Sequence, residues 1–339
     1  MPRFRNADRR DFMKQALAGS AATMMLAAPG RAAAAPPAGF GPLKHVHTSL
    51  LDIAYAEVGP AGGLPVLLIH GWPYDIHTYA DAALDLGGQG YRVFVPYLRG
   101  YGATRFLSDA SLRNGQQAAL AMDALEFLDA LGIKRAIVGG CDWGARTACI
   151  LAVLHPDRVR ALVSVSGYLI GSQAAAAKPL SPDAERRWWY QYYFATERGY
   201  QGYAANTHEF ARLIWKTASP AWVFDEAVFS RSAAALDNVD HVAISIHNYR
   251  WRLGLAEGEA RYDAIEAKLA TFPAIKVPTI TLEGDENGAP HPQPEDYRTK
   301  FIGAYEHRTI AGGIGHNLPQ EAPRAFARAI VDADGMADF

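Results

Sequence analysis

Residues 135–146, RAIVGGCDWGAR, are the stretch that decides the fold. A short apolar run enters two glycines, and a helical pattern follows from residue 147. A sharp turn from a strand into a helix presents one side chain, and it needs small residues two positions before and after that side chain. With Cys141 at the tip the later position would be Trp143, which cannot fit, whereas Asp142 at the tip has glycine at both positions. The spacing therefore predicts Asp142 at the tip of the turn.

Asp142 would be a reactive group in that position. A carboxylate can attack a saturated carbon and become an alkyl ester, whose carbonyl carbon water can then attack. The helix that follows favours the ionised carboxylate, because the positive end of its dipole faces the tip. The alternative interpretation is a plain helix N-cap without chemistry.

Short apolar runs separated by helical patterns lie on both sides of this turn. Runs that are apolar without alternation are typical of strands in a parallel sheet whose two faces are covered by helices. Together they predict an α/β domain in three layers. The runs are 66–69, 93–95, 136–138, 162–165 and 279–282.

Residues 171–265 interrupt the alternation, since they contain no strand-like run but many aromatic side chains. An aromatic helical insertion between two sheet strands predicts a lid, or cap, over a site at the carboxyl edge of the sheet. The alternative is an ordinary helical subdomain in which the rings serve packing. The predicted organisation is a first core segment at 40–170, a helical cap at 171–265 and a second core segment at 266–339.

Residues 1–35 differ from the rest of the chain and predict an export signal. Basic residues come first, an apolar small-residue stretch occupies 16–28, and a run of alanines follows. That order is typical of a cleaved secretory signal, and RRDFMK at 9–14 resembles the twin-arginine export motif of bacteria. The alternative is a membrane anchor, but the stretch is shorter than the roughly 20 residues that a span needs. We therefore expect a periplasmic or secreted protein without a membrane association after cleavage.

The composition excludes several function classes. A hydrophobic content of 50% excludes a disordered chain, and the presence of only 2 cysteines excludes a disulfide scaffold. The net charge of -2 argues against nucleic acid as a partner, since that requires clustered basic residues. The sequence shows no glycine-rich phosphate loop and no cluster of metal ligands, so we expect no cofactor and no metal.

Four motifs together resemble the α/β-hydrolase fold family, and within it the epoxide hydrolases and haloalkane dehalogenases. The turn that contains Asp142 resembles their nucleophile motif. HGWP at 70–73 resembles their oxyanion loop, LRGYG at 98–102 the loop after their fourth strand, and GHNLPQE at 315–321 their catalytic-histidine loop. The resemblance covers nearly the whole chain after residue 40. It implies a mostly parallel central sheet covered by helices, with a helical cap.

The resemblance implies a role for each of these segments. Asp142 would be the nucleophile, and His316 would be the base that drives water onto the resulting ester. The backbone N–H groups of Trp72 and Trp143 would form the oxyanion hole. A cis peptide bond is expected before Pro73.

The resemblance is weakest at the acid that would orient His316. The family places this acid in the turn after the last of the apolar runs, and its usual position holds Asn287 here. Asp285 is the neighbouring candidate, with Glu283 and Glu286 as rivals. Of these we adopt Asp285 as the prediction.

Two tyrosines of the predicted cap favour an epoxide as the substrate. Tyr190 and Tyr249 resemble the pair that protonates the epoxide oxygen in epoxide hydrolases, where the opening ring becomes an alkoxide. Trp143 and Trp189 could instead bind a halide, which keeps a haloalkane or haloacid dehalogenase as the alternative. A non-catalytic ligand-binding protein and an esterase are weaker alternatives. The sequence thus predicts an enzyme that hydrolyses epoxides to diols and takes a small apolar or amphipathic organic substrate.

Overall fold

A computed structural model describes residues 39–337, so the predicted export signal at 1–35 lies outside the described residues. Within residues 39–337 the strands form one 9-stranded sheet. The strands are β1 (Lys44–His47), β2 (Leu51–Val58), β3 (Pro65–Ile69), β4 (Arg92–Pro96), β5 (Arg105–Phe106), β6 (Ala136–Gly140), β7 (Val159–Val165), β8 (Thr279–Gly284) and β9 (Tyr305–Ile310).

Most of the sheet is parallel, as the apolar runs predict. The strand order is β1-β2-β4-β3-β6-β7-β8-β9, and β5 pairs with β2. The pairs from β4 through β9 are parallel, whereas β1 and β2 join the edge as antiparallel strands. The chain first moves from β3 to β4 and then crosses to β6 on the other side of β3. Open α/β sheets bind ligands at such a reversal, outside the carboxyl ends of the strands.

Helices pack against the sheet and form the whole segment between β7 and β8. In residues 166–278, all of which the structure describes, the regular elements are helices, as expected of a helical insertion. The domain bounds themselves stay a prediction. No helix in residues 39–337 combines the length and the apolar character needed to cross a bilayer.

The α-helices are α1 (Ala80–Gly88), α2 (Gln117–Ala130), α3 (Trp143–Leu154), α4 (Gln173–Ala176), α5 (Pro182–Arg187), α6 (Trp189–Ala195), α7 (Glu197–Ala205), α8 (Thr207–Ala218), α9 (Glu226–Ala233), α10 (His241–Arg252), α11 (Asp263–Leu269), α12 (Pro294–Tyr297), α13 (Leu318–Glu321) and α14 (Pro323–Met336). Short 3-10 helices span Ile76–Tyr79, Ala234–Asp237, Ala260–Tyr262 and Arg298–Lys300.

The turn between β6 and α3 depends on close packing of glycine backbone. A Cβ on Gly144 would lie 1.7 Å from the carbonyl oxygen of Ile69 at the end of β3, and one on Gly140 would lie 2.3 Å from the carbonyl of Gly144. Asp142 takes φ 55° and ψ -119°, a left-handed conformation that costs energy for a residue with a side chain. The predicted register, with Asp142 at the tip of the turn, is therefore confirmed.

We expect Gly144→Ala to lower the free energy of unfolding by about 3 kcal/mol, because its Cβ would collide with backbone that cannot move aside. Gly88→Ala is the matched control, since nothing lies within 4 Å of a Cβ added at that position of α1. This control should be neutral or stabilising by up to ~1 kcal/mol. Urea denaturation followed by circular dichroism measures both variants. Equal stability of the two would contradict the packing argument.

Candidate active site

The side chain of Asp142 lies between two loops at the carboxyl edge of the sheet. Its Oδ1 accepts a hydrogen bond of 2.8 Å from the backbone N–H of Trp72, in the loop after β3. Its Oδ2 lies 3.7 Å from Nε2 of His316, in the loop after β9. The neighbouring Cys141 is buried, and its thiol donates to the carbonyl of His316. The structure thus brings together three of the predicted site residues, with the carboxylate rather than the thiol in the reactive position.

The loop after β3 approaches Asp142 as closely as its backbone allows. A Cβ on Gly71 would lie 2.5 Å from the Cβ of Asp142, so only glycine fits there. The peptide bond after Trp72 is cis, as predicted. His70 accepts from the N–H of Leu98 through Nε2, and burial lowers the pKa of His70 to about 4. His70 is therefore a neutral structural group that joins this loop to residues 98–102.

A chain of buried hydrogen bonds fixes the Trp72 indole from the cap. The indole N–H donates to the Tyr203 oxygen at 2.8 Å, and the Tyr203 hydroxyl lies 2.8 Å from Nε2 of His241. Nδ1 of His241 lies 3.0 Å from the carbonyl of Gly100, which can only accept. Burial lowers the pKa of His241 to about 3, so this neutral ring has its proton on Nδ1 and accepts from Tyr203. The loop after β3 is thereby tied to α7 and α10.

The loop that contains His316 is fixed by Ser219, which follows α8, and by Glu321 in α13. Ser219 Oγ accepts from the backbone N–H of His316 at 2.9 Å and donates to Glu321 at 2.6 Å. The other carboxylate oxygen of Glu321 accepts from the N–H of Gly315 at 2.7 Å. A Cβ on Gly315 would lie 2.4 Å from Ser219, so glycine is required beside the histidine.

Asp142 and His316 shift each other's pKa in opposite directions. Burial opposes the ionisation of Asp142, but the contact with His316, and then the charge of Arg146, lower the pKa of Asp142 below its ordinary value. Burial also favours the neutral ring of His316, yet Asp142 raises the pKa of His316, with further contributions from Glu283 and Glu321. Esterification of Asp142 would remove its charge and so lower the pKa of His316. Once the ester has formed, a larger fraction of the His316 rings would therefore be neutral and able to act as a base.

A cavity of about 690 Å³ adjoins Asp142 and is lined by both predicted tyrosines. Tyr190 in α6 and Tyr249 in α10 are buried, and their ring centroids lie 5.4 Å apart at 87°. Trp72 packs against both rings, with centroid distances of 5.1 and 5.3 Å. Burial raises the pKa of both phenols, so they keep their protons at neutral pH. The site therefore holds two phenolic proton donors in the same cavity as an ionised carboxylate.

The family described as alpha/beta hydrolase fold matches residues 65–256, more than half of the chain. The chain belongs to the α/β-hydrolase family. It is 37% identical over 121 residues to Epoxide hydrolase 3 of Siraitia grosvenorii, and 34% identical over 148 residues to Epoxide hydrolase B of Mycobacterium tuberculosis. The matching segments cover 36% and 40% of this chain, and only 37% and 40% of the two curated relatives.

Solved structures are similar over most of this α/β hydrolase. The crystal structure of a candidate epoxide hydrolase from Klebsiella pneumoniae is 59% identical, has a TM-score of 0.86, and covers 86% of this chain and 97% of that one. A candidate epoxide hydrolase from Pseudomonas aeruginosa is 25% identical with a TM-score of 0.71, and the match covers 88% of this chain and 96% of that one. The predicted fold, a mostly parallel sheet flanked by helices, is confirmed.

Trp143 directly follows Asp142 and has a backbone N–H and an indole N–H. Its backbone N–H, at the first residue of α3, is among the groups that offset burial and lower the pKa of Asp142. Its indole Nε1 is buried without a hydrogen-bond partner in residues 39–337. Trp189, the other tryptophan considered for a halide, is 38% exposed and lines the cavity beside Asp142, whereas Trp143 is not among the residues that line it.

Asp285 does not contact the histidine in the structure. Its carboxylate oxygens accept hydrogen bonds of 2.9, 3.0 and 2.8 Å from the backbone N–H groups of residues 312–314. Asp285 is exposed and stabilises the turn that precedes the His316 loop. This placement corrects the choice of Asp285 as the orienting acid, because its charge is already committed to backbone donors. Glu286, one of its rivals, is also exposed.

Glu283 is the buried carboxylate at the end of β8. It is 8% exposed, and its charge is one of those that raise the pKa of His316. Its Oε1 accepts a hydrogen bond of 2.7 Å from Asn287, which occupies the acid's usual position. Nδ1 of His316 is buried and has no hydrogen-bond partner in the described part of the chain. Of the candidates that the sequence offers, Glu283 is the one whose charge acts on the ring.

Sequence reasoning missed the residues that support the site. Tyr203 and His241 hold the loop after β3, and Ser219 and Glu321 hold the histidine loop. Tyr203, His241 and Ser219 act on residues far away in the chain, so no local motif contains both partners, whereas Glu321 binds Gly315 within the motif at 315–321. A polar residue among the aromatic side chains of the cap, such as Ser219 or His241, is the only signal that could have drawn attention to them.

Proposed function

We propose that this α/β hydrolase opens epoxides to diols through an alkyl ester on Asp142. The proposal rests on the position of Asp142, with Oδ1 bound by Trp72 and Oδ2 3.7 Å from Nε2 of His316. Tyr190 and Tyr249 line the same cavity. A carboxylate nucleophile, a base and a proton donor are the groups that the reaction needs. The named epoxide hydrolases among the relatives support this assignment.

In the first step Oδ2 of Asp142 attacks an epoxide carbon. Oδ1 is engaged by the N–H of Trp72, which leaves Oδ2 free to form the new C–O bond. The bond between that carbon and the epoxide oxygen breaks, and the phenol of Tyr190 or Tyr249 gives its proton to the oxygen. The products of this step are a hydroxyalkyl ester and a tyrosinate.

In the second step water hydrolyses the ester. Nε2 of His316 takes one proton from water while the water oxygen adds to the carbonyl carbon of Asp142. The N–H groups of Trp72 and Trp143 stabilise the resulting oxyanion. Its collapse releases the alcohol oxygen, which takes the proton from His316, and the diol leaves. The proton on the regenerated Asp142 carboxyl returns to the tyrosinate, which restores the resting charges.

His316→Gln should block the second step but leave the first, because glutamine cannot take the proton from water. After incubation with styrene oxide, this variant should carry one covalent adduct, detected by intact-mass spectrometry and located on Asp142 by peptide fragmentation. Its diol formation should be at least about 100-fold slower than that of the wild-type protein.

The controls for this experiment address the nucleophile. Asp142→Asn in the same background should abolish the adduct, whereas Cys141→Ser should keep it, since the Cys141 thiol is buried. An adduct on Cys141, or no adduct with any epoxide that the wild-type protein consumes, would contradict the mechanism.

A dehalogenase is the second candidate, and the Trp143 indole favours it. Its buried N–H has no acceptor in residues 39–337, and such a donor could bind a halide leaving group. Asp142 would then form the same kind of ester by displacing the halide. Measurement of chloride and fluoride release from haloalkanes and haloacids, beside diol formation, separates the two activities.

We further propose that Glu283 assists His316 electrostatically. Glu283→Gln removes a negative charge that raises the pKa of His316, so the pKa should fall. Because the ring acts as a base only when it is neutral, the acid limb of the kcat profile should move to lower pH. The plateau value of kcat should fall by about 10-fold or more.

Asp285→Asn is the matched control for Glu283→Gln, since it removes the same charge only two residues further along the chain. Asp285 is bound to residues 312–314, so this change should lower stability but leave the acid limb of kcat in place. The proposed role of Glu283 would be overturned if the acid limb of the kcat profile moved in Asp285→Asn and stayed in place in Glu283→Gln.

We also propose export by the twin-arginine route, which the sequence of residues 1–35 supports. Replacement of Arg9 and Arg10 by lysine should retain the protein in the cytoplasm of a bacterial host. Immunoblots of periplasmic and cytoplasmic fractions measure this. Unchanged export of the doubly substituted protein would refute the route.

A further inference from the structure

Two arginines line the cavity without a carboxylate partner. Arg146 lies in the first turn of α3, four residues after Asp142, and Arg252 is the last residue of the cap helix α10. Both line the cavity that contains Asp142 and His316, and both also line an adjoining cavity of about 250 Å³. No carboxylate in residues 39–337 lies within ion-pair distance of either guanidinium.

Neutral groups hold each guanidinium in place. Arg146 donates from Nε to the carbonyl of Leu169 at 2.9 Å, which leaves its terminal nitrogens without an acceptor in the described residues. Arg252 lies over the rings of Trp188 and Tyr249, 5.2 and 5.6 Å from their centroids. Aromatic faces orient a guanidinium while the N–H groups at its edge stay available for a ligand.

The inner wall of the cavity therefore has an excess of positive charge. Burial, and then the like charge of Arg252, lowers the pKa of Arg146 to about 10, so Arg146 stays protonated at neutral pH. Asp142 is the one carboxylate on this inner wall in the described part of the chain. The charge of Arg146 also acts on Glu266, which lies outside the lining of the cavity and accepts from Gln117 and from the N–H of Ala118. The exposed rim of the cavity differs from this wall because it carries both signs of charge. The rim residues are Arg186, Arg187, Lys216, Asp285 and Glu286.

We infer that Arg146 and Arg252 bind a carboxylate of the substrate, so that the epoxides taken by this site are epoxy acids. The inference rests on the proposed epoxide hydrolysis and adds the substrate class. A planar guanidinium matches a carboxylate through paired hydrogen bonds, and a monoanion neutralises the excess charge of the wall. Because Arg252 contacts the ring of Tyr249, the bound carboxylate lies near a proton donor of the reaction.

The test compares 3-phenylglycidate with 3-phenylglycidamide, which share the epoxide and nearly the same size but differ in charge. The measured quantity is the ratio of kcat/KM for the acid to kcat/KM for the amide. Because the two substrates stay the same, a difference in this ratio between the wild-type protein and a variant does not depend on the intrinsic reactivity of the two epoxides. We expect Arg252→Gln and Arg146→Gln each to lower the ratio about 10- to 100-fold, which corresponds to the loss of a charge-assisted hydrogen bond.

Arg250→Gln is the matched control, because it makes the same change in the same helix. The Arg250 guanidinium donates to the carbonyls of Phe194 and Thr196, so its loss should leave the ratio within about twofold of wild type. Arg146 also supports Leu169, and Arg252→Gln decides the outcome if Arg146→Gln does not fold.

A binding measurement separates this inference from the proposed function. Calorimetry with 3-phenylpropanoate and 3-phenylpropanamide, which contain no epoxide, should show at least about 10-fold tighter binding of the acid to wild type, and this preference should be lost in Arg252→Gln.

If the neutral epoxide is opened and the kcat/KM ratio is unchanged in Arg252→Gln, the carboxylate subsite is overturned while epoxide hydrolysis stands. If neither epoxide is opened, the adduct experiment with His316→Gln decides on epoxide hydrolysis, and the calorimetry alone decides on the subsite. Preferential binding of the acid then supports the subsite, and equal binding of acid and amide overturns it.

Discussion

The constraint on which the site depends is the contact between the backbone of Gly144 and the end of β3. Because a Cβ at Gly144 would meet the carbonyl oxygen of Ile69 at 1.7 Å, only glycine lets α3 begin directly against the strand. That contact sets how closely the loop after β3 approaches the tip of the turn. The N–H of Trp72 consequently reaches one oxygen of Asp142, and the other oxygen lies 3.7 Å from Nε2 of His316.

The cap supports the site as well as enclosing it. Tyr203 and His241 hold the indole of Trp72, whose backbone N–H donates to Oδ1 of Asp142. Ser219 holds the backbone of His316 from the other side. The helical insertion is thus joined by buried hydrogen bonds to the loop after β3 and to the loop that contains His316. Buried hydrogen bonds of this kind are costly to break, so cap and core form one unit around the cavity.

Two carboxylates at and just after the end of β8 differ in their burial and in the groups on which their charges act. Asp285 is exposed and binds three backbone N–H groups, so its charge is used to hold a turn. Glu283 is buried, and its charge acts on His316. Arg146 and Arg252 line the cavity and have no carboxylate partner among residues 39–337. The charges around the site are therefore of two kinds: Asp285 is bound by backbone donors and stabilises a turn, whereas the two arginines of the cavity have no carboxylate partner in the described residues.

The sequence by itself determined the parts that depend on neighbouring residues. The apolar runs became β3, β4, β6, β7 and β8, and the glycine spacing fixed Asp142 at the tip, because periodicity and steric fit are local properties. The short exposed strands β1 and β5 have no such pattern. Only the tertiary structure shows that Asp285 is bound to backbone donors whereas Glu283 is buried, and that Arg252 lines the same cavity as Asp142. Those outcomes depend on burial and on contacts between residues far apart in the chain, which no spacing within the sequence records.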